Sequence, residues 1–212
     1  MIETIGTERS GMKQMTMVDR SLLLATGLLA AYQIVFGVEG SSAVALWAYT
    51  VAFGVLLLAG LLLIILGFEA LASPLVVIAA TMIPLALSLG LVWEHFPGWR
   101  MPYLVFAIAG FAGVTATRLV WPGRGATITL AVVHGVAGLL IFGLPLYLSL
   151  RGTTPAGFAL VGVGGALIGV AGLLLSFLKM GRPLLPENTI LALLPGLLLL
   201  VTATFVAGFA LI

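Results

Sequence analysis

Cysteine is absent from this chain. That excludes disulfides, thiolate metal sites and cysteine nucleophiles. Charge is nearly as scarce: only 8% of the 212 residues are charged, against ~25% in an ordinary soluble domain. So few charges could not clothe a water-facing exterior. The formal net charge is only +2. No basic tract is long enough to serve a nucleic acid, so none is expected as a partner.

Aspartate occurs once, as Asp19, and is expected to precede the first helix. An intramembrane aspartyl protease or a relay of buried carboxylates therefore has no residues to use. No His-x-x-x-His pair or acidic cluster marks a metal site. No serine stands in a G-x-S-x-G setting. Gly162-x-Gly164 lacks the third glycine of a dinucleotide fingerprint. These absences lean against an enzyme. The lysines are Lys13 and Lys179 only. The seven-helix retinal proteins hold their pigment on a lysine of the last helix, so that resemblance fails.

What the chain has in abundance is apolar sequence: 62% hydrophobic residues and a mean hydropathy of +1.28. In lipid, every backbone N–H and C=O must be paired within the protein, which only helices and closed barrels achieve. The apolar runs are long and unbroken rather than alternating, which selects helices over barrel strands. About 20 apolar residues cross the hydrocarbon core. Seven stretches qualify: Ser21–Glu39, Ala43–Phe68, Pro74–Trp93, Pro102–Trp121, Thr127–Leu150, Ala156–Lys179 and Thr189–Ile212. Turn-forming Gly, Pro and Ser residues separate them. The expected fold is an all-α integral membrane bundle of seven transmembrane helices at 21–212, preceded by a cytoplasmic segment at 1–20. The first stretch exceeds the apolar core of a signal peptide and is counted as a helix.

Lys and Arg set the orientation. The N-terminal side would carry Arg9, Lys13, Arg20, Arg118, Arg124, Lys179 and Arg182, the other side only Arg100 and Arg151. This bias predicts a multi-pass protein of the plasma (cytoplasmic, inner) membrane, with its N-terminus inside and its C-terminus outside. An internal repeat is a further expectation. Gly27-Leu28-Leu29 matches Gly138-Leu139-Leu140, Ala59-Gly60 matches Ala171-Gly172, and Pro84 matches Pro195, at offsets of 111, 112 and 111. Steady offsets imply three helices, a linking helix, then three more in the same orientation, a transporter device. The competing account is coincidence in Gly/Ala/Leu-rich text.

Small residues let transmembrane helices approach closely. The sixth helix has such a stripe in Gly162, Gly165, Gly169 and Gly172, read as helix packing within the bundle or against another subunit. The fourth offers Gly110, Gly113 and Thr117, the fifth Ala131, Gly135 and Gly138.

Ionisable groups at membrane depth are functional candidates. His134 is the clear one, expected to bond a backbone carbonyl or a neighbouring Thr. Its alternative is cofactor ligation, with Met82 as a depth-matched partner for a b-type haem. His95 would lie just past the far end of the third helix and could not share an iron with His134. Around it, Trp93 to Tyr103 is rich in interfacial aromatics. Glu94, His95, Trp99 and Arg100 are candidate contacts there for a partner or an amphipathic ligand such as a quinone. The competing account is anchoring at the headgroups.

The leading functional expectation is a non-catalytic subunit without a cofactor, surrounded by membrane lipids and packing against other membrane subunits or itself. A small carrier or channel for a neutral or apolar solute is the second reading. A haem- or quinone-binding protein using His134 is the third.

Overall fold

The computed structural model describes residues 14–121, 123–179 and 181–211. Much of the expected 1–20 segment, with Arg9 and Lys13, lies outside the described residues. Seven helices run through the rest, each long and apolar enough to cross a membrane. They are α1 (Met17–Phe36), α2 (Ala43–Leu66), α3 (Pro74–His95), α4 (Arg100–Leu119), α5 (Arg124–Leu150), α6 (Ala159–Lys179) and α7 (Glu187–Ala210). No strand occurs among the described residues. The chain is thus an all-helical protein of the multi-pass membrane class. Its exterior agrees: Leu150 is 88% exposed, Val35 76% and Ile65 73%, a coat that lipid can solvate and water cannot.

Local chemistry sets the helix ends. Thr16 and Asp19 form a reciprocal capping box, each side chain satisfying a backbone N–H that the first turn leaves open. Helix α1 therefore starts at Met17, earlier than Ser21. Asp19 lies inside its first turn and is buried, which corrects the expectation that it precedes the helix. Gly37 ends α1 and Gly67 ends α2, both at positive φ, a backbone conformation that glycine adopts without steric penalty. Short 3-10 turns at Gly67–Ala72, Pro97–Trp99 and Ala156–Phe158 carry the chain between helices.

A proline inside a helix removes a backbone hydrogen bond, so Pro84 and Pro195 are places where α3 and α7 could break. Both α3 and α7 instead run on through them, as α5 does through Pro145. All three prolines are buried, so neighbouring helices hold each segment in line.

Around the bundle, α1 packs on α2, α2 on α3, α3 on α5, α5 on α6, α6 on α7, and α7 on α1. This is a closed ring of six, and α4 lies outside it against α3 and α5. We call the end where α1 begins proximal and the other distal. Arg20, Arg118, Arg124 and Arg182 lie at or beyond proximal helix ends, Arg100 and Arg151 at distal ones.

Large side chains fill the middle of the ring. Tyr49 and Phe53 of α2 meet Phe205 and Phe209 of α7. Ring centroids are 4.7 Å apart for Tyr49–Phe209 and 6.2 Å for Phe53–Phe209. Phe158 adds a further ring 6.3 Å from Phe209. Proximally, Leu23, Leu63, Phe68, Leu191 and Leu194 form a second cluster. A third, with Leu85, Ala107, Val114, Val133 and Ala137, seats α4 on α3 and α5.

Candidate functional site

At the distal end, the turn after α3 gathers the residues singled out for outer contacts. Ser42 is the residue just before α2, and its side chain makes no capping bond of its own. Glu94, at the end of α3, supplies the acceptor instead. Its Oε2 receives the Ser42 backbone N–H at 3.1 Å and the Ser42 hydroxyl at 2.8 Å. A carboxylate at a helix N-terminus is also favoured by the helix dipole. His95 is the last residue of α3 rather than past its end. Its ring lies 5.3 Å from that of Phe158, so consecutive residues tie α3 to the two halves of the chain. Arg100 donates from Nε to the Trp93 carbonyl at 2.6 Å, and its guanidinium sits 5.7 Å from the Trp93 ring centroid. Trp99 alone stays open, at 64% exposure. The structure gathers these four residues at one turn, and three of them touch other parts of the same chain.

His134 lies ten residues after the start of α5, or ~15 Å along the axis at 1.5 Å per residue. This is deeper than the sequence suggested, because α5 begins at Arg124 rather than Thr127. Nδ1 is 3.1 Å from the Leu130 carbonyl one turn back in its own helix. With Nδ1 as the donor, Nε2 is left as the acceptor or ligating nitrogen. Met82 is half-buried on α3. No group of three or more His, Asp or Glu able to hold a metal occurs among the described residues.

The glycine stripe of α6 divides into two parts. A Cβ at Gly162 would come 2.7 Å from the Phe142 carbonyl, and one at Gly165 would come 2.8 Å from the Phe142 nitrogen. These glycines let α6 lie directly on the backbone of α5. Gly164 turns the other way, to Phe205 and Thr204 of α7, and Gly208 of α7 meets the backbone at Val161. Gly169 and Gly172 meet nothing within 4 Å, and neither do Gly135 and Gly138 on α5. Helices α5 and α6 therefore touch distally and part proximally. On the peripheral helix, Gly110 and Gly113 pack on Val133 and Thr129 of α5.

Most hydroxyls within the spans close onto their own helices. Thr26, Thr81, Thr115, Thr117 and Thr202 each donate to the carbonyl four residues earlier. Sequence reasoning missed three contacts: the Ser42–Glu94 tie, the Gln33 amide bonded to the Gly37 carbonyl, and a buried Tyr103–Ser88 pair. Only the first has a recognisable signal, a serine opening an apolar run without its own capping partner. Comparison with protein families, curated proteins and solved structures gives no match to this chain.

Proposed function

We propose that this chain is a non-catalytic helical membrane subunit that works by packing laterally against other membrane proteins. The observation that carries this reading is how its polar groups are engaged. Thr26, Thr81, Thr115, Thr117 and Thr202, and His134, bond carbonyls of their own helices, the buried Nε of Arg118 being the exception among the described residues. A catalytic site needs several polar groups converging on one reacting atom. The aromatic filling between α2 and α7 supports the same reading. The inner membrane is its proposed location, with the N-terminus in the cytoplasm, on the bias of seven Lys/Arg against two. The test is purification from the source membrane in mild detergent. Co-purification with other membrane subunits at fixed stoichiometry supports the proposal; a clean monomer contradicts it.

A second reading, a small carrier for a neutral or apolar solute, is favoured by the order of neighbours in the ring. Exchanging α1-α2-α3 with α5-α6-α7 maps every ring contact onto another ring contact. That is the pattern of a parallel repeat about an axis along the membrane normal, with α4 as the linker. Solute flux in proteoliposomes, with an experimental structure whose two triplets superpose, would decide for it.

A further inference from the structure

The parted proximal halves of α5 and α6 have a counterpart in the first half of the chain. At the offsets of the proposed repeat, Gly27 of α1 corresponds to Gly138 of α5. Leu57 and Gly60 of α2 correspond to Gly169 and Gly172 of α6, and Leu23 corresponds to His134. In the first half these faces are shut. A Cβ on Gly27 would lie 3.2 Å from the Leu57 side chain, and one on Gly60 would lie 3.7 Å from the Leu23 carbonyl. In the second half the same faces stand open. The helices are antiparallel, and Gly165 lies opposite Ile141–Phe142. One turn further, Gly169 comes level with Gly138, and after it Gly172 with Gly135. Each faces empty space.

The geometry points to α6 as a movable arm, pivoting where Gly162 and Gly165 lie on α5, whose proximal half closes onto α5 as α2 is closed onto α1. Three features favour this. The pivot is a backbone-to-backbone contact that fixes the distal half. Five glycines, at 162, 164, 165, 169 and 172, interrupt the 21 residues of α6, and glycine is the least stabilising of the ordinary residues in a helix interior. Each wall of the opening carries two glycines, Gly135 and Gly138 on α5 and Gly169 and Gly172 on α6, the kind of residue on which helices in lipid approach closely. Where Leu57 fills the space between α1 and α2, Gly169 leaves it vacant. Closure would bring His134 over Gly172, as Leu23 lies by Gly60. The inference rests on the proposed repeat for its comparison, but not on the subunit or carrier reading.

The absence of native cysteine makes the test clean. Two double variants of the full chain, Gly138→Cys with Gly169→Cys and Gly135→Cys with Gly172→Cys, go into liposomes and meet a mild oxidant. All four positions have room for a Cβ, so folding is preserved. A disulfide needs Cα atoms within about 7 Å. Val132→Cys with Leu173→Cys, on exposed positions, serves as the collision control. The expected result is loss of both free thiols through an intrachain disulfide, faster than in the control. Thiols that stay free and reactive to maleimide in both variants would overturn the inference. So would disulfides formed only between chains, which would mean that a second copy covers this face.

Discussion

The Tyr103 hydroxyl on α4 donates a 2.7 Å hydrogen bond to the Ser88 hydroxyl on α3, with both groups buried. Ser88 Oγ in turn lies 2.5 Å from the Pro84 carbonyl. A helix outside the ring is thus fastened to it by a short polar chain within an apolar contact. Such bonds between membrane helices average about 0.6 kcal/mol and reach about 1.7. Tyr103→Phe and Ser88→Ala should each lower thermal stability in detergent by that order. The double variant should lose less than the sum of the two, because either change breaks the same bond. Strict additivity would show that the bond is not made in solution.

The two parts of the α6 stripe should respond oppositely to alanine. Gly162→Ala and Gly165→Ala each push a methyl against the backbone of α5, which cannot rotate away, and overpacking of this kind costs about 1–3 kcal/mol. Gly169→Ala and Gly172→Ala meet open space and should stabilise α6 by about 0.5–1 kcal/mol through helix propensity. Thermal unfolding of the four single variants, followed by far-ultraviolet dichroism, ranks them.

Glu94 should matter to the start of α2 more than to any ligand. Glu94→Ala leaves the Ser42 N–H and hydroxyl without their acceptor and should cost about 0.5–2 kcal/mol, as loss of an N-cap does. Glu94→Gln keeps an acceptor and loses the charge, so its effect should be smaller. Hydrogen exchange at the Ser42 amide is the direct reading, faster in Glu94→Ala than in Glu94→Gln.

His134→Leu installs the residue found at the matching place in α1, and nothing outside its own helix is seen to bond the imidazole. The side chain is partly buried, so losing its one bond to Leu130 should cost about 0.5–1.5 kcal/mol, the net worth of a single hydrogen bond. If the native protein instead carried a haem on this residue, the variant would lose a Soret band that the parent shows.

The sequence made the helices legible because each span must be long, apolar and internally bonded, and Gly and Pro punctuate the gaps. The capping box of Thr16 and Asp19 went unread, which is why α1 starts earlier than Ser21. The division of the α6 stripe was not legible, since four glycines at the same spacing look alike in sequence. What separates them is what the neighbour presents: the backbone at Phe142 for two and open space for the others. The Ser42–Glu94 tie was legible only at its serine end, because 52 residues separate that serine from its acceptor. His134 was legible as a residue inside the fifth helix, though it lies further along that helix than a start at Thr127 implies. Its bond to Leu130 could be one of several, because any neighbouring helix could have supplied the acceptor.

Seven crossings of a bilayer are the foundation of this account, and single introduced cysteines test them directly. Labelled in sealed vesicles with a membrane-impermeant maleimide, Ser41→Cys, Gly98→Cys and Thr153→Cys should all react from one side. Ser73→Cys, Trp121→Cys and Arg182→Cys should all react from the other. Two successive connections labelled from the same face, or release of the chain from membranes by alkaline carbonate, would contradict it.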